Sequence, residues 1–252
     1  MNDKTELNAI KVPEITLIFW IIKIAATTLG ETGGDTVSMS MNLGYLVGTG
    51  IFAAVFLLAV AAQIRAKRFH PALYWTTIIA TTTVGTTLAD FVDRSLGIDY
   101  TGGASLLFAL LMVSLAVWYR SLGSVSVDSI SSPKSEIFYW VTIMFSQTLG
   151  TALGDWTAST AGMGYEGGAI VFGALLLIVV AAYYWTRMSR TLLFWAAFIL
   201  TRPLGAVVGD FLDKPLHSGG LALSRYLASA LLLAFITACM LVFRQRAARR
   251  IH

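Results

Sequence analysis

The sequence contains four copies of one short pattern, and this internal repeat constrains the architecture more than any other feature. Each copy has a tryptophan preceded by phenylalanine or tyrosine, and the four tryptophans are Trp20, Trp75, Trp140 and Trp195. A glycine stands ten residues after each tryptophan, at Gly30, Gly85, Gly150 and Gly205. An aspartate stands five residues after each glycine, at Asp35, Asp90, Asp155 and Asp210. These fixed spacings predict four copies of one structural unit.

The composition excludes a soluble protein. Hydrophobic residues make up 56% of the 252 residues and charged residues only 13%, about half the share that is usual in globular proteins. The mean hydropathy of +0.72 indicates more apolar surface than one core of this size can bury. Soluble enzymes, nucleic-acid binders and secreted disulfide scaffolds are therefore excluded, and the single cysteine, Cys239, can form no internal disulfide.

Eight apolar stretches reach the length of about 20 residues that a transmembrane helix needs. They cover residues 14–36, 43–64, 72–94, 102–120, 136–158, 166–186, 191–213 and 221–243. Two stretches fall in each repeat, so successive repeats enter the membrane in the same direction. We therefore predict an all-α integral membrane protein with eight transmembrane helices, built from four tandem two-helix repeats. The charged N-terminal residues lack a small-residue cleavage site, so no removable signal peptide is expected.

The positions of lysine and arginine predict that both termini are cytoplasmic. One side of the membrane holds Lys4, Lys11, Arg65, Lys67, Arg68, Arg120, Lys134, Arg187, Arg190, Arg244, Arg246, Arg249 and Arg250. The other side holds Arg94, Lys214 and Arg225. The net charge of +4 thus reflects topology rather than a basic patch, and no nucleic-acid partner is expected.

Finer differences group the repeats in two pairs. The second and fourth repeats carry a further aspartate, Asp93 and Asp213, where the first and third have Ser38 and Ala158. We predict two homologous halves, residues 1–120 and 136–252, related by a pseudo-twofold axis along the membrane normal. The segment 121–135 is predicted to link them on the cytoplasmic side, and the second half ends in a basic cytoplasmic tail.

This arrangement resembles a bacterial family of four-repeat integral membrane proteins, known as domain of unknown function 347. The Trp-Gly-Asp spacing carries the resemblance over residues 15–243. It implies two spans per repeat and a location in the bacterial inner (cytoplasmic) membrane. It implies no activity, so the function is inferred from the residues themselves.

Small and aromatic residues are expected to shape the packing. Pairs of small residues four apart allow two helices to approach closely in lipid, and they are Gly30/Gly34, Gly85/Ala89, Gly150/Gly154 and Gly205/Gly209. The four tryptophans are predicted to form an aromatic belt at the membrane interface. A tyrosine stands ten residues after each of the first three aspartates, and the fourth repeat has glycine there: Tyr45, Tyr100, Tyr165 and Gly220.

The repeated aspartates are the strongest candidates for a functional site. An ionised carboxylate is costly within a bilayer, and such residues usually face the bundle interior and mark ion or proton pathways. We predict that the four aspartates converge and bind a cation, with a metal ion held by Asp35, Asp90, Asp155 and Asp210. An all-oxygen site suits Mg²⁺, Mn²⁺ or Ca²⁺.

Three further carboxylates extend this candidate site. Asp93 and Asp213 each follow a repeated aspartate by three residues, a spacing that shares one helix face. Glu31 precedes Asp35 by four residues, and the intervening Gly33–Gly34 step is expected to interrupt that helix. The alternative interpretation is that the aspartates are solvated helix-end carboxylates at the external rim, with Arg94, Lys214 and Arg225 nearby to pair with them. Asp93, Asp99 and Asp213 fit this interpretation better than the four repeated aspartates do.

Two cationic residues fall inside predicted spans and are candidates for charge compensation or coupling. Lys23 lies nine residues into its span, and a lysine side chain can snorkel towards an interface. Arg202 stands where the other repeats have Thr27, Thr82 and Gln147. Its expected partner is Asp210 or Glu31. Arg202 either competes with a substrate cation or neutralises a crowded acidic core, and the sequence favours neither role.

These features favour a secondary transporter rather than an enzyme. It would move cations, with a divalent metal ion exchanged for protons as the leading case, and a passive channel is a close variant. Its partners are the lipid bilayer, a small inorganic cation and protons, and no resident cofactor is expected. The alternatives are a non-transporting membrane scaffold or subunit and, with less support, an intramembrane aspartyl hydrolase in which two carboxylates share a proton. Both a monomer and a homodimer fit the sequence.

Overall fold

The computed structural model describes residues 10–130 and 132–248 and confirms the predicted all-α fold over them. The long helices are α1 (Leu17–Asp35), α2 (Tyr45–Arg65), α3 (Pro71–Asp90), α4 (Tyr100–Leu122), α5 (Pro133–Asp155), α6 (Gly164–Trp185), α7 (Arg190–Asp213) and α8 (Arg225–Val242). Short π-helical turns, Thr36–Ser40, Phe91–Ser95 and Trp156–Thr160, follow α1, α3 and α5. The predicted cytoplasmic residues Lys4, Arg249 and Arg250 lie outside the described residues.

Local sequence signals set several helix ends. Pro71 and Pro133 occupy the first turn of α3 and α5, where the missing N–H of proline costs no hydrogen bond. Asp99 caps α4, because its side chain accepts a hydrogen bond from the Gly102 N–H at 2.6 Å. Gly123 ends the same helix with a φ of 73°, a left-handed conformation that glycine adopts without strain.

The odd-numbered helices form a closed inner ring. Helix α1 packs against α3, α3 against α5, α5 against α7, and α7 against α1. The tryptophan ends of these helices lie together, so the four helices run in the same direction, as the repeat predicts. Helix α1 continues unbroken to Asp35, so the expected interruption at Gly33–Gly34 is wrong.

The even-numbered helices cover the ring by a cyclic rule. Each of them packs chiefly against the odd helix of the following repeat: α2 on α3, α4 on α5, α6 on α7, and α8 back on α1. Every repeat therefore supports its successor, and the last supports the first. Contacts between the two predicted halves occur on both sides of the ring, through α3 with α5 and through α7 with α1.

The repeated glycines set the spacing within the ring. A Cβ atom added at any of them would meet the residue at one equivalent position of the next odd helix, and these pairs are Gly30–Thr82, Gly85–Gln147, Gly150–Arg202 and Gly205–Thr27. In each pair the contacted residue lies three positions before the glycine of its own helix. Close approach of neighbouring helices through small residues, as predicted from the small-residue pairs, is thus confirmed.

Five helices within the described residues, α2, α4, α6, α7 and α8, are long and apolar enough to cross a membrane. The even-numbered helices expose large apolar side chains on the outside of the bundle, including Leu57, Leu58, Leu177 and Ile178. Helices α1, α3 and α5 instead carry many buried threonines within the ring. This division between an apolar exterior and a polar interior is that of a multi-pass membrane protein.

The repeated tryptophans do not form the predicted interfacial belt. Trp75, Trp140 and Trp195 are only 1–4% exposed, and Trp20 packs partly buried against the same aromatic cluster. The Tyr74 and Tyr139 hydroxyls join within this cluster at 2.7 Å. The prediction of a belt is wrong because the closed ring turns the tryptophans towards neighbouring helices rather than towards the surface.

The two described ends of the chain close the tryptophan end of the ring. The Ala248 N–H donates to the Val12 carbonyl oxygen at 2.8 Å, and the Glu14 N–H donates to the Arg246 carbonyl oxygen at 2.9 Å. The Lys11 ammonium pairs with the Glu136 carboxylate at 2.5 Å. The opposite end of the ring, where the repeated aspartates lie, is therefore the end at which the candidate site must be sought.

Candidate functional site

The four repeated aspartates are buried at the end of the ring opposite the chain ends. Asp35, Asp90 and Asp155 are the last residues of α1, α3 and α5, and Asp210 lies in the last turn of α7. All four are between 1% and 5% exposed. They are thus not solvated, which corrects that part of the rim interpretation.

Carboxylate oxygens meet in two groups that share one residue. In the first, oxygens of Glu31, Asp35 and Asp90 all lie within 4.8 Å of one another. In the second, oxygens of Asp35, Asp210 and Asp213 do so. Asp155 belongs to neither group, so the structure brings together three of the four repeated aspartates with Glu31 and Asp213.

Lys214 occupies the second group. Its ammonium contacts the Asp35 carboxylate and lies 2.8 Å from Asp210 Oδ1 and 3.6 Å from Asp213 Oδ1. Burial alone would lower the pKa of the Lys214 ammonium. The attraction of the three carboxylates outweighs this effect, so the pKa of Lys214 lies above its ordinary value. Lys214 is therefore a fixed cation held in a site of three carboxylates.

Arg94 occupies the equivalent place in the second repeat. Both Arg94 and Lys214 follow a repeated aspartate by four residues, and Arg94 Nε lies 2.8 Å from Asp90 Oδ1. Arg94 is also within electrostatic reach of Asp155. Lys214 thus pairs with its own aspartate and with that of the following repeat, whereas the ion pair of Arg94 is with its own aspartate. Met39 and Ser159 stand at this position in the other two repeats. The pairing of Arg94 and Lys214 with aspartates, predicted by the rim interpretation, is confirmed.

The fourth repeat replaces a tyrosine by an arginine. Tyr45 and Tyr100 begin α2 and α4, and the Tyr45 hydroxyl accepts a hydrogen bond from Arg94 Nη1 at 3.2 Å. Arg225 begins α8, and its Nε lies 3.0 Å from Asp213 Oδ2 and 3.8 Å from Asp35 Oδ2. The fixed spacing places Gly220 at this repeat position instead of Arg225. It does so because it does not account for the extra residues of the fourth repeat, which contain the Leu216–Ser218 turn.

Asp93 and Asp213 are not equivalent in the structure. Helix α7 stays regular to Asp213, but the α-helix of the second repeat ends at Asp90 and Asp93 lies in the following π-helical turn. Asp93 is half-buried, and its Oδ1 lies 2.8 Å from the place of a Cβ at Gly103 of α4. The prediction that Asp90 and Asp93 share one face of a regular helix is therefore wrong, whereas Asp213 does join the site.

Arg202 lies inside the ring, eight residues or about two helical turns before Asp210 on α7. Its Nη2 lies 3.0 Å from Glu31 Oε2 and donates to the hydroxyls of Thr86 and Thr151 at 2.5 Å. Of the two predicted partners, Glu31 is confirmed. Glu31, Thr86 and Thr151 occupy the same repeat position in three consecutive repeats, so the arginine of the fourth repeat reaches across the ring to all three.

Lys23 lies deeper still and does not reach an interface. It is fully buried, its Nζ lies 3.5 Å from the Thr201 hydroxyl, and it stands 4.2 Å from the centre of the Phe198 ring. The snorkelling expected from the sequence is therefore wrong. Thr86 and Thr151 are members of the site that the sequence analysis did not name, whereas Arg94, Lys214 and Arg225 were named there as ion-pair partners in the rim interpretation. The repeat spacing, applied to Glu31, could have pointed to the two threonines.

Fold and site together define a multi-pass membrane protein made of four tandem two-helix repeats, with buried charges inside a ring of helices. The chain belongs to the family described as Repeat of Unknown Function (DUF347), whose model matches residues 18–69, 73–124, 138–189 and 193–248. The four matches confirm both the internal repeat and the family to which the sequence is similar. Neither a curated protein nor a solved structure matches the chain.

Proposed function

We propose that the protein is a secondary transporter that moves a divalent cation in exchange for protons. In this proposal all eight helices cross the bacterial inner membrane, both termini are cytoplasmic, and the two halves are related by a pseudo-twofold axis. The acidic end of the ring then faces the exterior. The cation binds among the carboxylates of the inner helices and passes along the axis of the ring.

The observation that carries the proposal is the pair of carboxylate groups that share Asp35. All the ligand atoms are oxygens, which favours hard divalent cations such as Mg²⁺, Mn²⁺ and Ca²⁺. Because Asp35 belongs to both groups, its carboxylate can bind a cation in either of them. The Asp35 Oδ1 atom, buried and without a hydrogen-bond partner among the described residues, is free to act as a ligand.

The balance of charge supports exchange rather than permanent binding. Six carboxyl groups line this part of the ring: Glu31, Asp35, Asp90, Asp155, Asp210 and Asp213. Four cationic groups face them: Arg94, Arg202, Lys214 and Arg225. The excess of two negative charges is neutralised equally well by one divalent cation or by two protons. Because unneutralised charge in a bilayer is costly, binding of one species then favours release of the other.

Proton movement in liposomes tests the proposal. Liposomes that contain the purified protein are challenged in turn with Na⁺, K⁺, Mg²⁺, Mn²⁺, Ca²⁺, Co²⁺ and Al³⁺ while internal pH is recorded. We expect a divalent cation to trigger a pH change, and we expect that change to fall to the level of empty liposomes in an Asp90→Asn, Asp210→Asn double variant.

Asp99→Asn is the matched control for this experiment. Asp99 is exposed at the same end of the bundle, and asparagine caps a helix as well as aspartate does. Its flux should equal that of the wild type. A protein shown to be folded that moves no protons with any cation would rule out proton-coupled cation exchange and support a scaffold. A double variant as active as the wild type would instead rule out Asp90 and Asp210 as the cation site.

Lys214→Gln provides a second test of the same site. Lys214 competes with a soluble cation for Asp35, Asp210 and Asp213, so its removal should open that group. We expect tighter binding of the divalent cation that is active in liposomes, by about tenfold or more, since one opposing full charge is removed. Isothermal titration of wild type and variant measures the change. Unchanged or weaker binding in the variant contradicts the role of Lys214 as a tethered competitor.

A further inference from the structure

Beneath the acidic site lies a layer of buried polar groups that lack partners. It is formed by three of the residues contacted by the repeated glycines, Thr82, Gln147 and Arg202. The fourth, Thr27, donates its hydroxyl hydrogen to backbone carbonyl oxygens. Gln147 and Arg202 are completely buried, yet both ends of the Gln147 amide, the Arg202 Nε and Nη1 atoms and the Thr82 hydroxyl have no hydrogen-bond partner in the described part of the chain. Buried polar groups in native proteins are nearly always satisfied, so this layer points to a bound species.

The unengaged hydrogen-bond donors of this layer indicate the class of ligand. Arg202 uses Nη2 for Glu31, Thr86 and Thr151, which leaves the rest of its guanidinium unengaged. Lys23, one helical turn from Thr27, is within electrostatic reach of Arg202 and has no carboxylate within ion-pair distance among the residues described. Arg202 and Lys23 thus bring several N–H donor groups to this depth, where Glu31 is the carboxylate that pairs with Arg202.

We propose that this layer binds a small inorganic anion of the halide class, held by Arg202, the Gln147 amide N–H groups and the Thr82 hydroxyl. Donor groups without partners outnumber acceptors there, and an anion accepts hydrogen bonds from several donors at once. The neighbouring helices touch through glycine at this level, which favours a small anion over a polyatomic one. This anion site differs from the proposed cation site, because none of the repeated aspartates takes part in it, and Arg202 connects the two through its ion pair with Glu31.

Halide binding to the purified full-length protein tests the proposal. Sodium gluconate is replaced stepwise by sodium chloride or bromide at constant ionic strength, and thermal unfolding and tryptophan fluorescence are recorded. We expect a saturable rise in the melting temperature with either halide, because a ligand that binds only the folded state stabilises it. Absence of a saturable response in the wild type would overturn the proposal.

Gln147→Glu is the decisive variant. It keeps the shape of the side chain but replaces donor groups by a carboxylate, so halide affinity should fall by about tenfold or more. Asn42→Asp is the matched control, since it adds the same charge at an exposed position near the acidic end. Its response should equal that of the wild type. Equal halide affinity in Gln147→Glu and the wild type would contradict the proposal.

Two further variants keep the test independent of folding and of cation transport. Thr82→Val keeps the side-chain volume and removes only the hydroxyl, so it should weaken halide binding even if Gln147→Glu fails to fold; wild-type affinity in this variant would contradict the assigned contact. The Asp90→Asn, Asp210→Asn double variant should keep its halide response while it loses cation-driven proton flux. Loss of both responses in that folded variant would contradict a separate anion site.

Discussion

Replacement of Arg202 by methionine is expected to lower the free energy of unfolding by about 3–5 kcal/mol, the range found when one partner of a buried ion pair is removed. Methionine retains much of the side-chain length, so the packing against Gly150 is largely preserved. The substitution leaves the Glu31 carboxylate buried without its cationic partner. It also removes the hydrogen-bond donor of the Thr86 and Thr151 hydroxyls. Thermal and denaturant unfolding in detergent measure the effect.

A double variant separates the ion pair from the packing. Glu31→Gln removes the charge that Arg202 neutralises, so the Arg202→Met, Glu31→Gln protein should recover most of the stability that Arg202→Met loses. The two substitutions should therefore be strongly non-additive, as expected for residues in direct contact. Additive losses would show that Arg202 and Glu31 do not form a coupled pair.

Arg225→Met serves as the control for the loss of a positive charge. Arg225 pairs with Asp213 at 3.0 Å, but its side chain is 22% exposed at the end of the bundle. Water can replace part of its interaction, so we expect a loss of about 1 kcal/mol or less. If Arg225→Met proved as destabilising as Arg202→Met, burial of the central arginine would not explain its effect.

The sequence predicts the number, bounds and parallel direction of the helices because these depend on local patterns. Apolar stretches of sufficient length give the eight helices, and Pro71, Pro133 and Gly123 lie at helix ends as their backbone chemistry requires. The family follows from the same spacing. Glu31 as the partner of Arg202 could also be foreseen, because a buried arginine requires a carboxylate and few are within reach.

The order in which helices pack could not be predicted from those patterns. The tryptophans illustrate the reason. An aromatic residue near a helix end fits a lipid interface and a helix–helix contact equally well, and only the cyclic packing rule decides between them. That rule depends on α8 returning to α1, a contact between the two ends of the sequence. Periodicity within one helix carries no information about such long-range partners.

The details of the site depend on departures from the repeat. Three repeats place a π-helical turn directly after the aspartate, but the fourth continues as a regular helix to Asp213 and then has a longer connection. This difference turns Asp93 away from its expected neighbour and brings Arg225 to the acidic groups. Spacing alone treats the copies as identical, so it locates the shared aspartates and misses the residues by which one repeat differs from the others.

Substitution of a repeated glycine by alanine is expected to destabilise the protein, whereas the same substitution at a glycine outside the ring is expected to stabilise it. In Gly85→Ala the new Cβ would lie 2.9 Å from both the Gln147 carbonyl carbon and the Thr148 nitrogen, which are backbone atoms of α5. Backbone cannot rotate away as a side chain can, so α3 and α5 must move apart. We expect a loss of about 1–3 kcal/mol, as in overpacked cores, measured by the same unfolding experiments.

Gly173→Ala is the matched control and should have the opposite effect. Gly173 lies in α6, and a Cβ there would meet nothing within 4 Å. Alanine should therefore stabilise the protein by up to about 1 kcal/mol, because glycine is the poorer helix former. A Gly85→Ala protein as stable as the wild type would show that α3 and α5 are not in backbone contact. The presence of glycine at this position in every repeat would then need an explanation other than close packing of the ring helices. The opposite signs would instead tie the repeated glycine to the ring, since only there does a single methyl group force two helices apart.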